Sequence, residues 1–412
     1  MKFIFIIAIL LLGVTSAKSQ QYARLIRNHN LPIPTLDLAS DKSISNIVHY
    51  GSFKTPLHTS AVRLSTRGEN ILLAYMPHNS KEVSLKLSKD GGQSWDSKFN
   101  NKILIGNPAT HISLFTLRGK NILPKQYQKE RKLSNIANRN NLIMFFEGYP
   151  IKSAISMDNG IQWHKTFNHL GQSDIKVTSM IRLDNGQYIA LLNSGRNMLN
   201  GRHVIYKSYS SDGGLTWTYP EIAIKHNIYS IENARIAKVD FNGKQYIVAL
   251  ANDIERRIGV ISVSQDDGDT WSYPSPLPSF IQGDHYNITT LDNKLYIVYR
   301  DTYGNFNNDI NNPTCGDLML WYGTINDLKH GGKNTYRVRL ADLPDIKIQL
   351  QNGKNNKTSI ETPTINLLAN NKLSIIVYGM WNEKFPPSIK SFTLLTNRLN
   401  KFNNKNYELL KK

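Results

Sequence analysis

Four times this chain returns to one octapeptide: Ser88-Lys-Asp-Gly-Gly-Gln-Ser-Trp95, Ser156-Met-Asp-Asn-Gly-Ile-Gln-Trp163, Ser210-Ser-Asp-Gly-Gly-Leu-Thr-Trp217 and Ser264-Gln-Asp-Asp-Gly-Asp-Thr-Trp271. Recurrence at this spacing marks a repeat protein. Each copy follows an alternating run, such as Val83-Ser-Leu-Lys-Leu87 or Gly259-Val-Ile-Ser-Val263, and so forms the turn after a half-buried strand. The residue types suit a turn. The Asp carboxylate accepts backbone N–H groups of its own turn, Gly supplies a backbone angle that other residues resist, and Trp inserts between neighbouring units.

A second recurring unit is an apolar strand, a turn holding Gly or Asn, and another apolar strand. It spans 59–64 with 71–75, 112–117 with 142–146, 178–183 with 188–192, 234–239 with 246–250, 288–291 with 295–299 and 363–368 with 373–378. Four of these hairpins lead into an octapeptide, while the last two lead into 318–322 and 389–394. Six blades around one axis follow, which keeps the 412 residues in a single domain. The strand-like segment 43–50 is expected to add an outer strand to the last blade and close the ring. The basic stretch 120–141 and the Asn-rich stretch 304–314 read as surface loops.

Met1-Lys2, the apolar run 3–14 and Ala17-Lys18-Ser19 read as a cleaved secretory signal over 1–19, ahead of a propeller over 43–398. The apolar run is too short to span a bilayer, so the mature chain is expected to be periplasmic or secreted, with no membrane span. Cys315 is the only cysteine, which excludes an intramolecular disulfide. The net charge of +19 is scattered rather than gathered into the dense basic runs of nucleic-acid tails. The plain reading is a solvated basic surface, and the sharper one is a basic face that attracts acidic glycans; with export, nucleic acid is set aside as a partner. No His/Cys/Asp spacing argues for a metal and no Gly-rich loop for a phosphate, so neither metal nor cofactor is expected.

A hairpin sets the residue before its first strand beside the residue after its second, so in a propeller both lie on one face near the axis. The six hairpins thereby nominate His58 with His78 and Asn79; His111 with Glu147; Thr178 and Ser179 with Asn193 and Arg196; Glu232 with Asn252 and Asp253; Asp284 and His285 with Arg300 and Asp301; and Glu361 with Tyr378 and Trp381. Convergent carboxylates, imidazoles and guanidiniums are what acid/base chemistry on a glycan requires. Arginine adds a planar fork for a carboxylate or sulfate. Arg337 and Arg339 point the same way by strand alternation, and one of them is expected to face the axis.

The octapeptides resemble the Asp-box of the sialidase-like β-propellers, Ser-x-Asp-x-Gly-x-Thr-Trp, with Ser94 and Gln162 in place of Thr in the first two. Residues from about 177 to 395 resemble a bacterial branch of that superfamily most often labelled exo-sialidases. The resemblance runs through Ile231-Glu-Asn-Ala-Arg235, Glu255-Arg-Arg257, Gln282-Gly-Asp-His285, Arg300-Asp-Thr302, Gly316-Asp317, Trp321-Tyr-Gly-Thr324, Thr335-Tyr-Arg-Val-Arg-Leu340 and Tyr378-Gly-Met-Trp381. It implies an all-β, six-bladed propeller with Asp-box turns, acting on the non-reducing end of a glycan. The boxes are implied to lie away from the active face, and Glu232 matches the glutamate that activates the nucleophile. The expected acid, base or nucleophile partners are then Glu232, Asp284 and Asp301. Arg257, Arg300 and Arg337 are expected to hold the acidic group, and His58, His78, His285, Asp317, Glu361 and Tyr378 to line the substrate site.

The chain departs from the sialidase pattern where the chemistry sits. The first arginine of the family's carboxylate-binding set is replaced by His58-Thr-Ser-Ala-Val, and no tyrosine stands near Glu361-Thr-Pro-Thr364 where the nucleophile belongs. Three readings are therefore carried forward: an exo-acting hydrolase removing an acidic terminal sugar from an oligosaccharide or polysaccharide, a non-catalytic glycan-binding propeller, and a uronate-directed lyase. The lyase reading rests on His58 and His78, twenty residues apart across one hairpin, as in the ulvan lyases and a related rhamnosidase family.

Overall fold

The computed structural model describes residues 24–26, 33, 35–50, 57–64, 68–117, 141–147, 151–166, 170, 175–195, 198–302, 314–330, 335, 337–343, 360–381 and 386–401. The expected signal at 1–19, nearly all of 120–141 and 304–314, and Arg196 lie outside them. Three strands come first, β1 (Arg24–Ile26), β2 (Thr35–Asp37) and β3 (Ser45–Tyr50). Blade 1 is then β4 (Leu57–Arg63), β5 (Ile71–Pro77), β6 (Ser80–Ser88) and β7 (Lys102–Ala109). Blade 2 is β8 (Ile112–Leu117), β9 (Asn141–Phe146), β10 (Lys152–Ser156) and β11 (His164–Thr166). Blade 3 is β12 (Lys176–Arg182), β13 (Tyr188–Asn193), β14 (Ile205–Ser210) and β15 (Glu221–Ile224). Blade 4 is β16 (Ile231–Phe241), β17 (Lys244–Asp253), β18 (Ile258–Ser264) and β19 (Ser275–Pro276). Blade 5 takes β20 (Gly283–Leu291), β21 (Lys294–Asp301), β22 (Leu318–Gly323) and β23 (Arg337–Ala341). Blade 6 takes β24 (Thr364–Leu367), β25 (Lys372–Gly379) and β26 (Ser388–Leu395). The fold is a six-bladed β-propeller with almost no helix.

Burial follows position within the blade. The second strands read as unbroken apolar runs, Ile71-Leu-Leu-Ala-Tyr-Met76 in β5 and Tyr188-Ile-Ala-Leu-Leu192 in β13, because each is covered on both faces by adjoining blades. Outer strands such as β7 alternate buried with exposed residues, since one face meets water. The blades are also tied at the axis by side chains of the inner strands. Ser60 Oγ accepts Leu114 N, Ser113 Oγ donates to Val177 O, Ser179 Oγ accepts Ile236 N, Asn287 donates to Pro363 O, and Asn366 accepts Arg63 N.

The ring closes at blade 6, where β3 pairs antiparallel with β26 as its fourth strand. The sequence patterns assign no strand before residue 43, yet β2 lies parallel to β23 and β1 pairs with β2, widening blade 5 to six strands. Short three-residue strands carry too little periodicity to be read alone.

All four octapeptide turns share one bonding pattern. In the third, Ser210 Oγ donates to Asp212 Oδ1 at 2.9 Å, and Leu215 N, Thr216 N and Thr216 Oγ1 all donate to the same carboxylate. Gly160, Gly214 and Gly268 take φ near +90°, and a Cβ there would lie 2.5 Å from Leu72, 3.1 Å from Leu117 and 2.3 Å from Ile189. Each of those three turns therefore presses its glycine against the preceding blade. First and third strands of a blade run the same way, so these turns, which end third strands, lie on the face opposite the start of the inner strands. Asp212→Ala is accordingly expected to cost about 1–3 kcal/mol through orphaned N–H donors. Chemical denaturation should show that loss, with turnover per folded molecule unchanged.

Candidate active site

The inner strands open the axial mouth with a common register. Leu57, Ile175, Ile231 and Ile360 are buried between blades, and the next residue in each case, His58, Lys176, Glu232 and Glu361, is half-buried at the mouth. Blade 2 contributes His111, whose carbonyl accepts Glu147 N at 2.9 Å. Blade 5 contributes Asp284, paired in register with Arg300. All six blades thus supply a charged or imidazole side chain to one funnel. Beneath it an axial cavity of about 580 Å³ is walled by all six inner strands, with Arg235 on its lining.

Three imidazoles form a chain across blades 1 and 2. His58 Nε2 lies 3.1 Å from His78 Nδ1, and His58 Nδ1 lies 3.4 Å from His111 Nδ1. Glu361 reaches the same group, with Oε2 at 3.8 Å from His58 Nδ1. Across the funnel Glu232 Oε1 stands 3.0 Å from His203 Nδ1, which Ser194 Oγ also approaches at 3.2 Å. Arg300 grips Asp284 with a two-pronged contact, Nε to Oδ1 at 2.7 Å and Nη2 to Oδ2.

Two inner strands bulge just inside the mouth. In β16 the register slips between Glu232 and Arg235, and in β20 between Asp284 and Asn287. Within those bulges Asn233 and His285 take φ of 57° and 54°, a region that side-chain-bearing residues enter at a cost. A bulge adds residues to one strand of a pair and re-aims side chains. Here it lets each strand present an extra polar group, Asn233 beside Glu232 and His285 beside Asp284. Asn233 is fixed by a reciprocal pair of bonds with Asn193 of blade 3, N to Oδ1 at 2.8 Å and Oδ1 from Nδ2 at 3.1 Å.

The walls of the funnel set the protonation states. Burial, with Lys176 close by, pulls His58 down to about 3 and His111 well below the usual imidazole range. Burial outweighs the pull of Asp284 and brings His285 to about 4. Burial also raises the Glu361 carboxyl against the pull of Lys176 and His78. Burial alone would raise Asp284, but the Arg300 fork wins and holds it low. These imidazoles are therefore neutral at pH 7. An unfolded histidine takes a proton near 6.5 while the folded one refuses it, so stability present above pH 6.5 is lost as pH falls toward 4. Each such histidine contributes on the order of 1 kcal/mol or more to that loss. Melting temperature followed from pH 7.5 to 4 should fall for the wild type, and His285→Asn should flatten the slope.

The structure places the expected residues unequally. Glu232, Glu361, His58, His78, His285, Asp284 and Arg300 stand together at the mouth, and exposed Arg257 is near enough to act on the Asp284 charge. Asp301 and Arg337 do not join them. Both are fully buried and paired at 2.8 Å, with Thr314 Oγ1 donating to Asp301 at 2.7 Å. Alternation explains the displacement: Arg300 faces the funnel, so Asp301 faces the opposite side of β21. Asp317 is likewise committed, taking Arg339 Nε at 2.6 Å and Leu343 N at 3.0 Å, with burial lifting its carboxyl to about 7 against Arg339. Arg339 also reaches Asp37 of β2 at 3.3 Å, so neither arginine of β23 faces the axis. Their strand is the fourth outward in its blade, roughly 14 Å from the innermost strand. Tyr378 packs in the core between blades 1 and 6, and burial carries its hydroxyl to about 12.

Lys176, Arg235 and His203 belong to the funnel but escape the sequence reading. Hairpin logic placed the start of blade 3 at Thr178, two residues late, because β12 bulges between Val177 and Ser179. The signal was present in the repeated pairing of a buried aliphatic with a polar residue, Ile175-Lys176 matching Ile231-Glu232 and Ile360-Glu361.

Fold and mouth together define a sialidase-like propeller. The chain belongs to the BNR repeat-like domain family, whose model matches residues 59–284. Among solved structures it is similar to a protein of unknown function from Dyadobacter fermentans, at 14% identity and TM-score 0.62, over 85% of this chain and 98% of that one. It also resembles the Hadza microbial sialidase Hz136, at 11% identity and TM-score 0.52, covering 86% of this chain and 66% of that one. The phage phi92 endosialidase matches at 12% identity and TM-score 0.53, over 88% and 70%. At these identities the likeness is one of fold. No curated protein matches the chain in sequence.

Proposed function

We propose that this protein is an exported exo-acting glycoside hydrolase that removes an acidic terminal sugar from a glycan. The observation that carries the reading is the meeting of two carboxylates in different surroundings at one mouth, Glu361 raised by burial and Glu232 in contact with His203. Hydrolysis needs such a pair, one to protonate the departing glycosidic oxygen and one to take the proton of the attacking water. Glu361 is assigned the first role and Glu232 the second. Asp284, locked to Arg300, braces the mouth of blade 5 rather than exchanging protons. Arg257 and His78, exposed at the rim, meet the ring of the incoming sugar.

The contact of 3.1 Å between His58 and His78 favours a second reading, a lyase in which a neutral imidazole removes the proton beside a uronate carboxylate. One panel of acidic glycans separates the readings. A hydrolase releases a saturated sugar, a lyase yields an unsaturated product that absorbs in the ultraviolet, and a glycan-binding propeller binds without turnover. Binding with no product from any member of the panel would overturn both enzymatic readings.

A further inference from the structure

We infer that Lys176, near Arg235 in the axial funnel, is the anchor for the oxyanion of the ligand, a carboxylate or sulfate. The inference rests on the hydrolase reading for its substrate but on the geometry of the funnel for the anchor itself. Lys176 opens the inner strand of blade 3 at the position taken by His58, Glu232 and Glu361 in theirs. It is half-buried, and no carboxylate among the described residues comes within ion-pair distance of its ammonium. An ammonium drawn out of water without a partner is costly, and a fold keeps one where a ligand supplies the missing charge. Arg235 stands close enough for its charge to act on Lys176, and it donates through Nη1 to Thr178 O while its buried Nε finds no acceptor. The two cations are thus an ammonium with no ion-pair partner among the described residues near an incompletely used guanidinium, both facing the axial space.

Three carboxylates, Glu147, Glu232 and Glu361, lie close enough to act on Lys176 electrostatically. Each disfavours further negative charge beside the pair. The anchored group is therefore compact, the single carboxylate or sulfate of a terminal sugar rather than a run of charges along a chain.

The test compares wild type, Lys176→Met and Lys176→Arg. Binding of N-acetylneuraminate, glucuronate and galactose 6-sulfate, each beside its methyl ester or unsulfated parent, is measured by calorimetry, and turnover is measured on their methylumbelliferyl glycosides. The anchor requires wild type to prefer at least one acid over its uncharged partner, and Lys176→Met to lose about 30- to 100-fold of that affinity with little change for the uncharged partner. Lys176→Arg should recover part of it. Whether carboxylate or sulfate responds identifies the oxyanion. Melting temperature is the control: Lys176→Met should melt no lower than wild type, because it removes a half-buried ammonium with no ion-pair partner among the described residues. A lower melting temperature with an unchanged preference for the acid would make Lys176 a brace and overturn the inference, as would failure of wild type to bind any acidic sugar. Lysine-dependent binding with no turnover would leave the anchor standing and overturn hydrolysis alone.

Discussion

Arg337→Met will destabilise the propeller by about 3–5 kcal/mol, the usual result of stripping one partner from a fully buried ion pair. Arg337 and Asp301 are both entirely out of solvent, 2.8 Å apart. The guanidinium also donates through Nη2 to Thr314 Oγ1 at 2.7 Å and through Nε to Thr35 Oγ1 at 3.1 Å. Methionine fills much of the volume but strips the Asp301 charge of its guanidinium, and it releases the side chain of Thr35 on β2. Chemical denaturation reads the loss directly. Turnover per folded molecule should hold, because the pair lies on the side of β21 away from the funnel. A variant that melts normally yet has lost activity would return Asp301 to the chemistry and move the active site off the axis.

Glu361→Gln should cut kcat about 1,000-fold while leaving the fold at least as stable, since a neutral amide replaces a carboxyl that burial already disfavours as an anion. Glu232→Gln should cost a similar factor by removing the acceptor for the water proton. The two can be told apart by the leaving group. A substrate whose aglycone departs without a proton should restore much of the turnover of Glu361→Gln and little of that of Glu232→Gln. Rescue in the opposite order would exchange the two roles, and equal activity in both variants with every substrate would remove this carboxylate pair from the mechanism.

The basic character of the chain suits the proposed action on charged saccharides. Its net charge of +19 favours the approach of acidic glycans. Selection at the mouth, however, depends on a few cations set among carboxylates, with His58, His111 and His285 kept neutral by burial. Lowering the pH would charge these imidazoles only at the expense of the fold.

The blade count was legible because it rests on local rules. Period-two alternation, hairpin turns and the Ser-Asp-Gly-Trp octapeptide are each written within about ten residues, and each copy repeats the last. The same locality let the hairpins place His58 beside His78 and Asp284 beside Arg300. What the tertiary structure alone decided lies where blades meet. The bulges at Val177, Glu232 and Asp284 each shift the register by one residue, and with a side-chain period of two such a slip decides which group enters the funnel. Lys176 and Arg235 were gained this way. Asp301 and Asp317 fell outside because partners remote in sequence, Arg337 and Arg339 of the fourth strand, claim them inside the blade. An ion pair between residues 36 apart leaves no periodic trace in the chain, whereas a turn that repeats every 54 to 68 residues does.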